Sequence, residues 1–121
     1  MNGCTQRLSV VIPCLNEAAR LPLLLADLQR STPGAEILLA DGGSSDATQR
    51  IATLAGASLI KVHPAGRGRQ LRAAAAEARG EWLLFLHADS RLSVRLPEVL
   101  SSLLQASSAA RSVWYFDLRI S

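Results

Sequence analysis

The order of apolar and helical segments is the feature of this sequence that most constrains its fold. Short apolar runs alternate along the chain with longer runs of helical period. Such alternation is typical of βαβ units, in which parallel strands are covered by helices. We therefore expect an α/β fold of three layers, α/β/α, around a mainly parallel sheet. The predicted strands are Leu8–Ile12, Glu36–Ala40, Ser58–Val62, Trp82–Leu86 and Val113–Ile120.

Helix and strand ends are predicted from proline, glycine and capping residues. Pro13 is expected to stop the first strand, and Pro22 suits the first turn of a helix that begins near Leu21. Asp46 is a predicted N-cap, with Gln49 completing a capping box. We expect Gln70 on a helix surface. The later helices are predicted at Ala47–Leu54, at Gln70–Arg79 before Gly80, and from Pro97 onward.

The length of 121 residues suits one domain, which we take as residues 1–121. No apolar run approaches the roughly 18 residues of a membrane-spanning helix. The start, MNGCTQRLSVVIP, lacks the apolar core of a secretory signal, so we expect a cytoplasmic protein, at most peripheral at the inner face of the membrane. Cys4 and Cys14 are then expected to be free thiols.

A formal net charge of +3 rests almost wholly on arginine, because Lys61 is the only lysine. This balance suggests an anionic partner, but composition alone does not separate nucleic acid from nucleotide or phospholipid. Aromatic residues make up 4% of the chain, which argues against a stacking platform for single strands. The positions of the charged residues along the chain must therefore distinguish between these partners.

Polar clusters follow each of the first four predicted strands. In open α/β sheets the ligand lies beyond the carboxyl ends of the strands, so these clusters are expected to share one edge. Loops are also polar for solubility alone, so clustering favours a binding site without proving one. The clusters are Asn16 and Glu17, Asp41 to Asp46, His63 to Arg69, and His87 to Ser90.

The fingerprints of two common nucleotide-binding classes are missing. After the first strand a dinucleotide enzyme would carry GxGxxG and a phosphate-loop enzyme GxxxxGK[ST], whereas this chain has PCLNEA. Hydride transfer and phosphate-loop chemistry are therefore disfavoured.

Three segments in order resemble the motifs of family 2 glycosyltransferases of the GT-A fold. These segments are LSVVIPCLNEAARL, ILLADGGSSDAT and GRGRQLRAAAAEARGEWLLFLHADSRL. The pattern is similar to a bacterial subgroup in which DGGSSD replaces DDGSxD and LHADS replaces the DxD segment. The resemblance implies a Rossmann-like, nucleotide-diphospho-sugar transferase sheet, of which this chain would be the N-terminal, nucleotide-sugar-binding part.

The resemblance also implies a nucleotide-binding set. Glu17 would accept hydrogen bonds from ribose hydroxyls, Asp41 one from the base, most naturally the imino N–H of uracil, and Arg67 and Arg69 would bind the diphosphate near a helix N-terminus. Asn16 could instead satisfy loop backbone groups, and the arginines could line a solvated face. The full nucleotide-binding set is Pro13, Asn16, Glu17, Asp41, Gly42, Gly43, Arg67 and Arg69.

Asp89 is the metal ligand that the resemblance implies, holding a divalent ion, Mn²⁺ or Mg²⁺, against the diphosphate. His87 stands where the family has its first carboxylate, and it is a second candidate ligand or a histidine bonded to the backbone. Imidazole suits Mn²⁺ better than Mg²⁺, so metal identity and dependence stay open.

The implied reaction is inverting transfer of a sugar from a nucleoside-diphosphate donor to an unknown acceptor, with a lipid-linked acceptor among the options. The catalytic base is expected beyond residue 121, with Asp117 no convincing substitute, so the isolated chain is expected to be inactive. The remaining half of the domain, or an oligomer, would cover an exposed sheet edge. No DNA or RNA partner is expected, although a nucleotidyltransferase and an Arg-rich module that binds nucleotide or nucleic acid remain alternatives.

All these assignments require Glu17, Asp41, Arg67 and Asp89 to converge around one cleft at one rim of the sheet.

Overall fold

The computed structural model describes residues 8–89 and 112–115, and within these ranges it shows alternating strands and helices. The elements in chain order are β1 Leu8–Cys14, α1 Leu21–Ser31, β2 Glu36–Asp41, α2 Thr48–Leu54, β3 Ser58–Lys61, α3 Arg67–Glu77, β4 Trp82–Phe85 and β5 Ser112–Tyr115. The alternation confirms the α/β class expected from the sequence. The predicted helix from Pro97 and the last part of the strand predicted at Val113–Ile120 lie outside the described residues.

The described strands form one sheet in the order β3-β2-β1-β4-β5. Every described strand pair is parallel, which confirms the mainly parallel sheet. The chain moves outward from β1 to β2 and β3, and then returns to place β4 on the other side of β1. This reversal makes the carboxyl ends of β1 and β4 a topological switch point, where open α/β sheets hold their ligands.

The alternating side chains of β1 pack against a different helix layer on each face of the sheet. Val10 and Ile12 belong to a buried cluster that includes α1 and Ala52 of α2. Val11 belongs to a second cluster with Ala74 of α3 on the opposite face. Because β1 is buried on both sides, its nearly continuous apolar sequence is the pattern expected of a central parallel strand. The three-layer arrangement is thereby confirmed.

Helix α1 begins at Leu21, as predicted, with Pro22 in its first turn. Leu21, Leu24 and Leu28 are buried at helical spacing. Their stripe fixes α1 against the sheet, and therefore fixes the direction of the loop that connects β1 to α1.

The first strand continues through Pro13 to Cys14, so the expected stop at Pro13 was wrong. Val11 O accepts a hydrogen bond from Leu86 N, and Cys14 O accepts one from Gly42 N. Since backbone groups alternate along a strand, the Pro13 nitrogen faces the β4 side. The last β1–β4 pair is Val11 with Phe85, so the ladder to β4 ends where Pro13 has no N–H to donate.

Two other boundaries move residues of the predicted site into regular structure. Asp41 is the last residue of β2 rather than the first of a loop. Helix α3 begins at Arg67, three residues before the predicted start at Gln70, and the Gln70 N–H donates to Gly66 O at 2.7 Å. Both arginines of the predicted diphosphate-binding pair therefore lie in the first turn of a helix.

Among the described residues, none of the helices combines the length and apolar character needed to cross a membrane.

Candidate functional site

Direct contacts join the loops that follow β1, β2, β3 and β4 at one edge of the sheet. The β1 loop is hydrogen-bonded to the β2 loop, the first turn of α3 is hydrogen-bonded to the ends of β1 and β2, and Arg67 contacts His87 after β4. The structure therefore brings the predicted residues to one rim. Their individual surroundings differ from what the sequence suggested.

Asn16 organises the β1 and β2 loops. Its Oδ1 accepts hydrogen bonds from Ser45 N at 2.8 Å and from Asp46 N at 3.3 Å, and its own N–H donates to Ser44 Oγ at 2.8 Å. Asn16 also has a φ of 54°, a left-handed conformation that asparagine tolerates better than most residues. The structure thus shows Asn16 satisfying loop backbone groups, the simpler of its two interpretations.

Asp46 binds both loops but does not form the predicted capping box. Asp46 Oδ1 accepts hydrogen bonds from Thr48 N and Thr48 Oγ1, and Oδ2 accepts one from Ala18 N at 3.1 Å. The Thr48 hydroxyl leads these contacts in lowering the pKa of Asp46. The N-cap of α2 is Ala47, with no side-chain cap hydrogen bond, and Gln49 donates its Nε2 to Asp41 at 2.8 Å. The predicted N-cap at Asp46 and its capping box with Gln49 were therefore both wrong.

Asp41 is a buried carboxylate held by its own loop. Its Oδ2 accepts hydrogen bonds from Gly43 N at 3.0 Å, Ser44 N at 2.9 Å and Gln49 Nε2 at 2.8 Å, and its Oδ1 accepts one from Ser44 Oγ. Burial raises the pKa of Asp41, but these hydrogen bonds outweigh burial and leave the pKa below its ordinary value.

Asp41 is 0% exposed, so its carboxylate presents no surface to a nucleotide base. The predicted direct contact between Asp41 and the base was therefore wrong, and Asp41 does not line the cleft that the four predicted residues were expected to share. Its position at the end of β2, beneath a loop that it satisfies, makes it a residue that fixes loop shape.

The adjacent glycines serve two different purposes. A Cβ at Gly42 would lie 2.8 Å from the Ala65 Cβ and 2.9 Å from Gln70 Oε1. Gly42, which the resemblance places in the nucleotide-binding set, therefore allows close packing against the protein itself. Gly43 has a φ of +105°, and a Cβ there would meet open space. Gly43 is exposed, which leaves its backbone accessible at the site edge.

Gln70 is buried at 5% exposure, so its predicted place on the helix surface was wrong. Its Nε2 donates to Cys14 O at 3.0 Å and to Ala40 O at 2.9 Å, and its Oε1 accepts from Gly66 N at 3.0 Å. The sequence did carry one signal for this burial. Gln70 lies four residues before Ala74, the buried alanine on the inner face of α3.

Arg67 and Arg69 are exposed at the N-terminus of α3. Arg67 Nη2 lies within hydrogen-bond distance of the His87 ring nitrogens, and Arg69 Nη1 donates weakly to Ala65 O at 3.4 Å. The helix has no side-chain cap, and the N–H groups of its first turn precede its first intrahelical hydrogen bond. Guanidinium groups and helical N–H groups therefore share one end of α3.

Asp89 and His87 differ in their suitability as metal ligands. Asp89 is exposed and has no hydrogen-bond partner among the described residues, so its carboxylate oxygens are open to a cation. The Arg67 guanidinium at the His87 ring opposes metal binding there, because it places a cation at the ring nitrogens. In residues 8–89 no three His, Cys, Asp or Glu side chains cluster as a metal site.

A divalent ion at this edge would consequently need oxygens from a bound ligand. Mg²⁺ sites commonly combine one or two carboxylates with substrate phosphates and water, and Asp89 fits that composition. The described residues thus fit a shared ion better than one bound by protein alone.

Glu17 lies in the loop that follows β1, and Pro13 lies in β1 just before that loop. The Glu17 side chain is 26% exposed, and its Oε1 accepts a long, weak hydrogen bond from Arg20 Nη1 at 3.4 Å. The Glu17 N–H donates to Thr48 Oγ1 at 2.9 Å, which ties the backbone of the β1 loop to the first residue of α2. Pro13 is partly buried in β1.

Cys14 is a buried free thiol beneath these loops, as expected, whereas Cys4 lies outside the described residues. Burial, followed by the negative charges of Glu17, Asp41 and Asp46, raises the pKa of Cys14 to about 12. A thiol with this pKa stays protonated at neutral pH and is a poor nucleophile or metal ligand.

A groove of about 650 Å³ lies away from this edge, between α1, α2 and the first residues of β2. Its lining includes Leu25, Ile37, Ile51 and Leu54 and contains no lysine or arginine. Its one ionisable lining residue, Glu36, accepts hydrogen bonds from Ser9 Oγ and Arg79 N. The groove therefore offers no cation for a phosphate.

Comparison with known proteins identifies relatives of this chain. The family model described as Glycosyl transferase family 2 matches residues 9–115. A "PGL/p-HBAD biosynthesis glycosyltransferase" of Mycobacterium bovis strain BCG is 41% identical over 97 residues, covering 69% of this chain and 36% of that protein. The chain thus spans about a third of the length of this relative.

Solved structures share the fold. Staphylococcus aureus TarS 1–349 superposes with a TM-score of 0.75 at 20% identity, covering 83% of this chain and 32% of that one. Glucosyl-3-phosphoglycerate synthase from Mycobacterium tuberculosis, in complex with Mn²⁺, uridine diphosphate and glucosyl-3-phosphoglycerate, gives 0.66 at 23% identity, covering 80% and 39%. Together with the family match, the three-layer parallel fold and the ordered motifs show that this chain belongs to glycosyltransferase family 2 and has the GT-A fold.

Proposed function

We propose that the carboxyl edge of this sheet binds the nucleoside diphosphate part of a nucleotide-sugar donor, most naturally a uridine diphosphate sugar. The observation that carries the proposal is the contact network that holds the β1 and β2 loops against the arginine-bearing start of α3. An anion placed there would meet guanidinium groups and helical N–H groups together.

In this proposal the nucleoside lies against the β1 and β2 loops. Glu17 is the acceptor for ribose hydroxyls, because its carboxylate is partly exposed and only weakly held by Arg20. Gly43 allows the ligand to approach the backbone. Asp41 and Gly42 are buried and Pro13 is partly buried beneath the site, whereas Asn16 is exposed at the rim, where its hydrogen bonds shape the loops.

The diphosphate lies between Arg67, Arg69 and Asp89. The arginines offset its negative charge directly, and Asp89 would hold the divalent ion that the diphosphate shares. When bound, such an ion offsets the charge that develops on the leaving diphosphate as the glycosidic bond breaks. His87 is assigned to position Arg67 rather than to bind metal.

The reaction we propose for the whole enzyme is inverting sugar transfer. An acceptor hydroxyl attacks the anomeric carbon, the bond to the diphosphate oxygen breaks, and a base takes the hydroxyl proton. No described carboxylate at this edge is assigned as that base, because Asp41 and Asp46 are engaged in loop hydrogen bonds, Asp89 is assigned to metal and Glu17 to the ribose. The acceptor is left open, and a cytoplasmic location is part of this proposal.

Titration calorimetry with UDP, GDP, ADP and inorganic pyrophosphate, each with and without Mn²⁺, tests the proposal. We expect UDP to bind more tightly than pyrophosphate, and Mn²⁺ to increase the UDP affinity by about tenfold. The glucosyl-3-phosphoglycerate synthase complex, a likeness of fold, motivates UDP and Mn²⁺ as first probes. Failure of every nucleotide to bind folded protein would contradict the proposal.

A parallel salt titration with single-stranded RNA tests the nucleic-acid alternative. Nonspecific RNA binding weakens steeply as salt rises, because neutralised phosphates release counterions. We expect RNA to bind more weakly than UDP with Mn²⁺ at physiological salt. RNA binding that is tighter than UDP binding would favour the alternative.

A further inference from the structure

From a buried position, Gln70 links the ends of β1 and β2 to the residue that precedes α3. Its amide nitrogen donates to Cys14 O at the end of β1 and to Ala40 O near the end of β2. Its amide oxygen accepts from the Gly66 N–H, immediately before the first residue of α3. Both amide N–H groups and the amide oxygen therefore have protein partners, each on a different segment of the rim.

Gly66 is held by Gln70 from two sides. The Gln70 side chain accepts from the Gly66 N–H at 3.0 Å, and the Gln70 backbone N–H donates to Gly66 O at 2.7 Å. Because Arg67 follows Gly66 directly, this pair of contacts determines where the α3 N-terminus and its arginines begin. The Gln70 amide thus links the position of those arginines to the ends of β1 and β2.

Gly42, which follows β2 directly, lies close to the Gln70 amide. Gly42 N donates to Cys14 O at 2.9 Å, the same carbonyl that accepts from Gln70. A Cβ on Gly42 would lie 2.9 Å from Gln70 Oε1, so any side chain there would displace the amide or the loop. A methionine in place of Gln70 would fill a similar volume without either donor.

We propose that Gln70 is a positioning residue that aligns the diphosphate-binding arginines with the nucleoside-binding loops, without contacting the nucleotide itself. This inference rests on the proposed function, because it assigns Arg67 and Arg69 to the diphosphate. Loss of a residue that only stabilises the fold would weaken binding of both parts of the nucleotide. Loss of Gln70 is expected to weaken binding of the diphosphate more than binding of the nucleoside.

Heteronuclear NMR titrations of the 121-residue chain with UDP and with uridine separate these roles, since one spectrum reports both folding and affinity. We expect Gln70→Met to weaken UDP binding about tenfold, as misplaced charge-assisted hydrogen bonds are lost, and to change uridine binding by less than about threefold. Gly42→Ala places a Cβ against the Gln70 amide oxygen and is expected to weaken UDP binding more than uridine binding, as Gln70→Met does. Gln29→Met, an exposed glutamine of α1, is the matched control and should change neither affinity.

A double variant tests whether Gln70 acts through the arginine. In an Arg67→Gln background, Gln70→Met should cause a clearly smaller loss of UDP affinity than in the wild type, because residues that act together are not additive. Full additivity would overturn the inference.

The remaining outcomes separate this inference from the proposed function. Equal losses of UDP and uridine affinity, or wild-type UDP binding by Gln70→Met, would overturn the positioning role alone. If Gln70→Met lacks a dispersed spectrum, Gly42→Ala decides by the same criteria. A wild-type chain that binds neither ligand would overturn the proposed function and the positioning role together.

Discussion

Replacing Asp41 by alanine is expected to lower the free energy of unfolding by about 3 kcal/mol, because it leaves several donors at a buried position without their acceptor. The donors are Gly43 N, Ser44 N, Ser44 Oγ and Gln49 Nε2. Urea denaturation at neutral pH, followed by circular dichroism, measures this loss.

Asp41→Asn is the matched control. Its remaining oxygen can accept from the two backbone N–H groups while its amide nitrogen turns toward the Ser44 hydroxyl, so we expect a loss of only about 1 kcal/mol. An alanine variant as stable as the asparagine variant would contradict the hydrogen-bonded role of Asp41.

The same carboxylate predicts how stability depends on pH. The pKa of Asp41 is lower in the folded protein than its ordinary value of 3.8, so ionised Asp41 stabilises the fold at pH values above that ordinary value. This contribution is lost as pH falls below about 4 and through the folded-state pKa. Asp41→Ala should therefore lose less stability than wild type over that acid range, and equal losses would contradict the assignment.

Replacing Asp89 by asparagine is expected to abolish the increase in UDP affinity that Mn²⁺ produces, a loss of about tenfold or more in the presence of the metal. The amide keeps the size of the side chain but lacks the charge that holds a divalent ion. Without metal, the variant should bind UDP at least as tightly as wild type, because the negative charge that faces the diphosphate is removed. Calorimetry with and without Mn²⁺ measures both UDP affinities for each protein.

Glu77→Gln is the control for this change in charge, since Glu77 is an exposed carboxylate at the far end of α3. It should keep the full Mn²⁺ effect. A normal Mn²⁺ effect in Asp89→Asn would show that the ion, if it binds, is held elsewhere.

The layer order and the edge that bears the site could be predicted from sequence periodicity. Apolar runs such as that of β1 indicate strands buried on both faces, and the carboxyl ends of parallel strands must share an edge. This reasoning needs only hydropathy and chain direction. The same pattern predicts that Glu17, Arg67 and Asp89 lie at one rim.

The polar interior of the site could not be predicted in the same way. A glutamine in the first turn of a helix has the same hydropathy whether it faces water or, like Gln70, three backbone groups of neighbouring segments. Gln49 was misassigned for the related reason that its preferred partner, Asp41, is distant from the helix cap in sequence. Pro13 was misread because the cost of a missing N–H depends on whether a strand is paired on that side, which only the register reveals.

The most direct test of the central claim is where the nucleotide binds. Chemical-shift mapping with UDP and Mg²⁺, a diamagnetic ion, should perturb the backbone amides of Gly43, Ser44, Gly66, Arg67 and Asp89 while leaving those around Leu25 and Leu54 unchanged. Perturbations confined to the apolar groove between α1 and α2, with the carboxyl edge unaffected, would contradict the account.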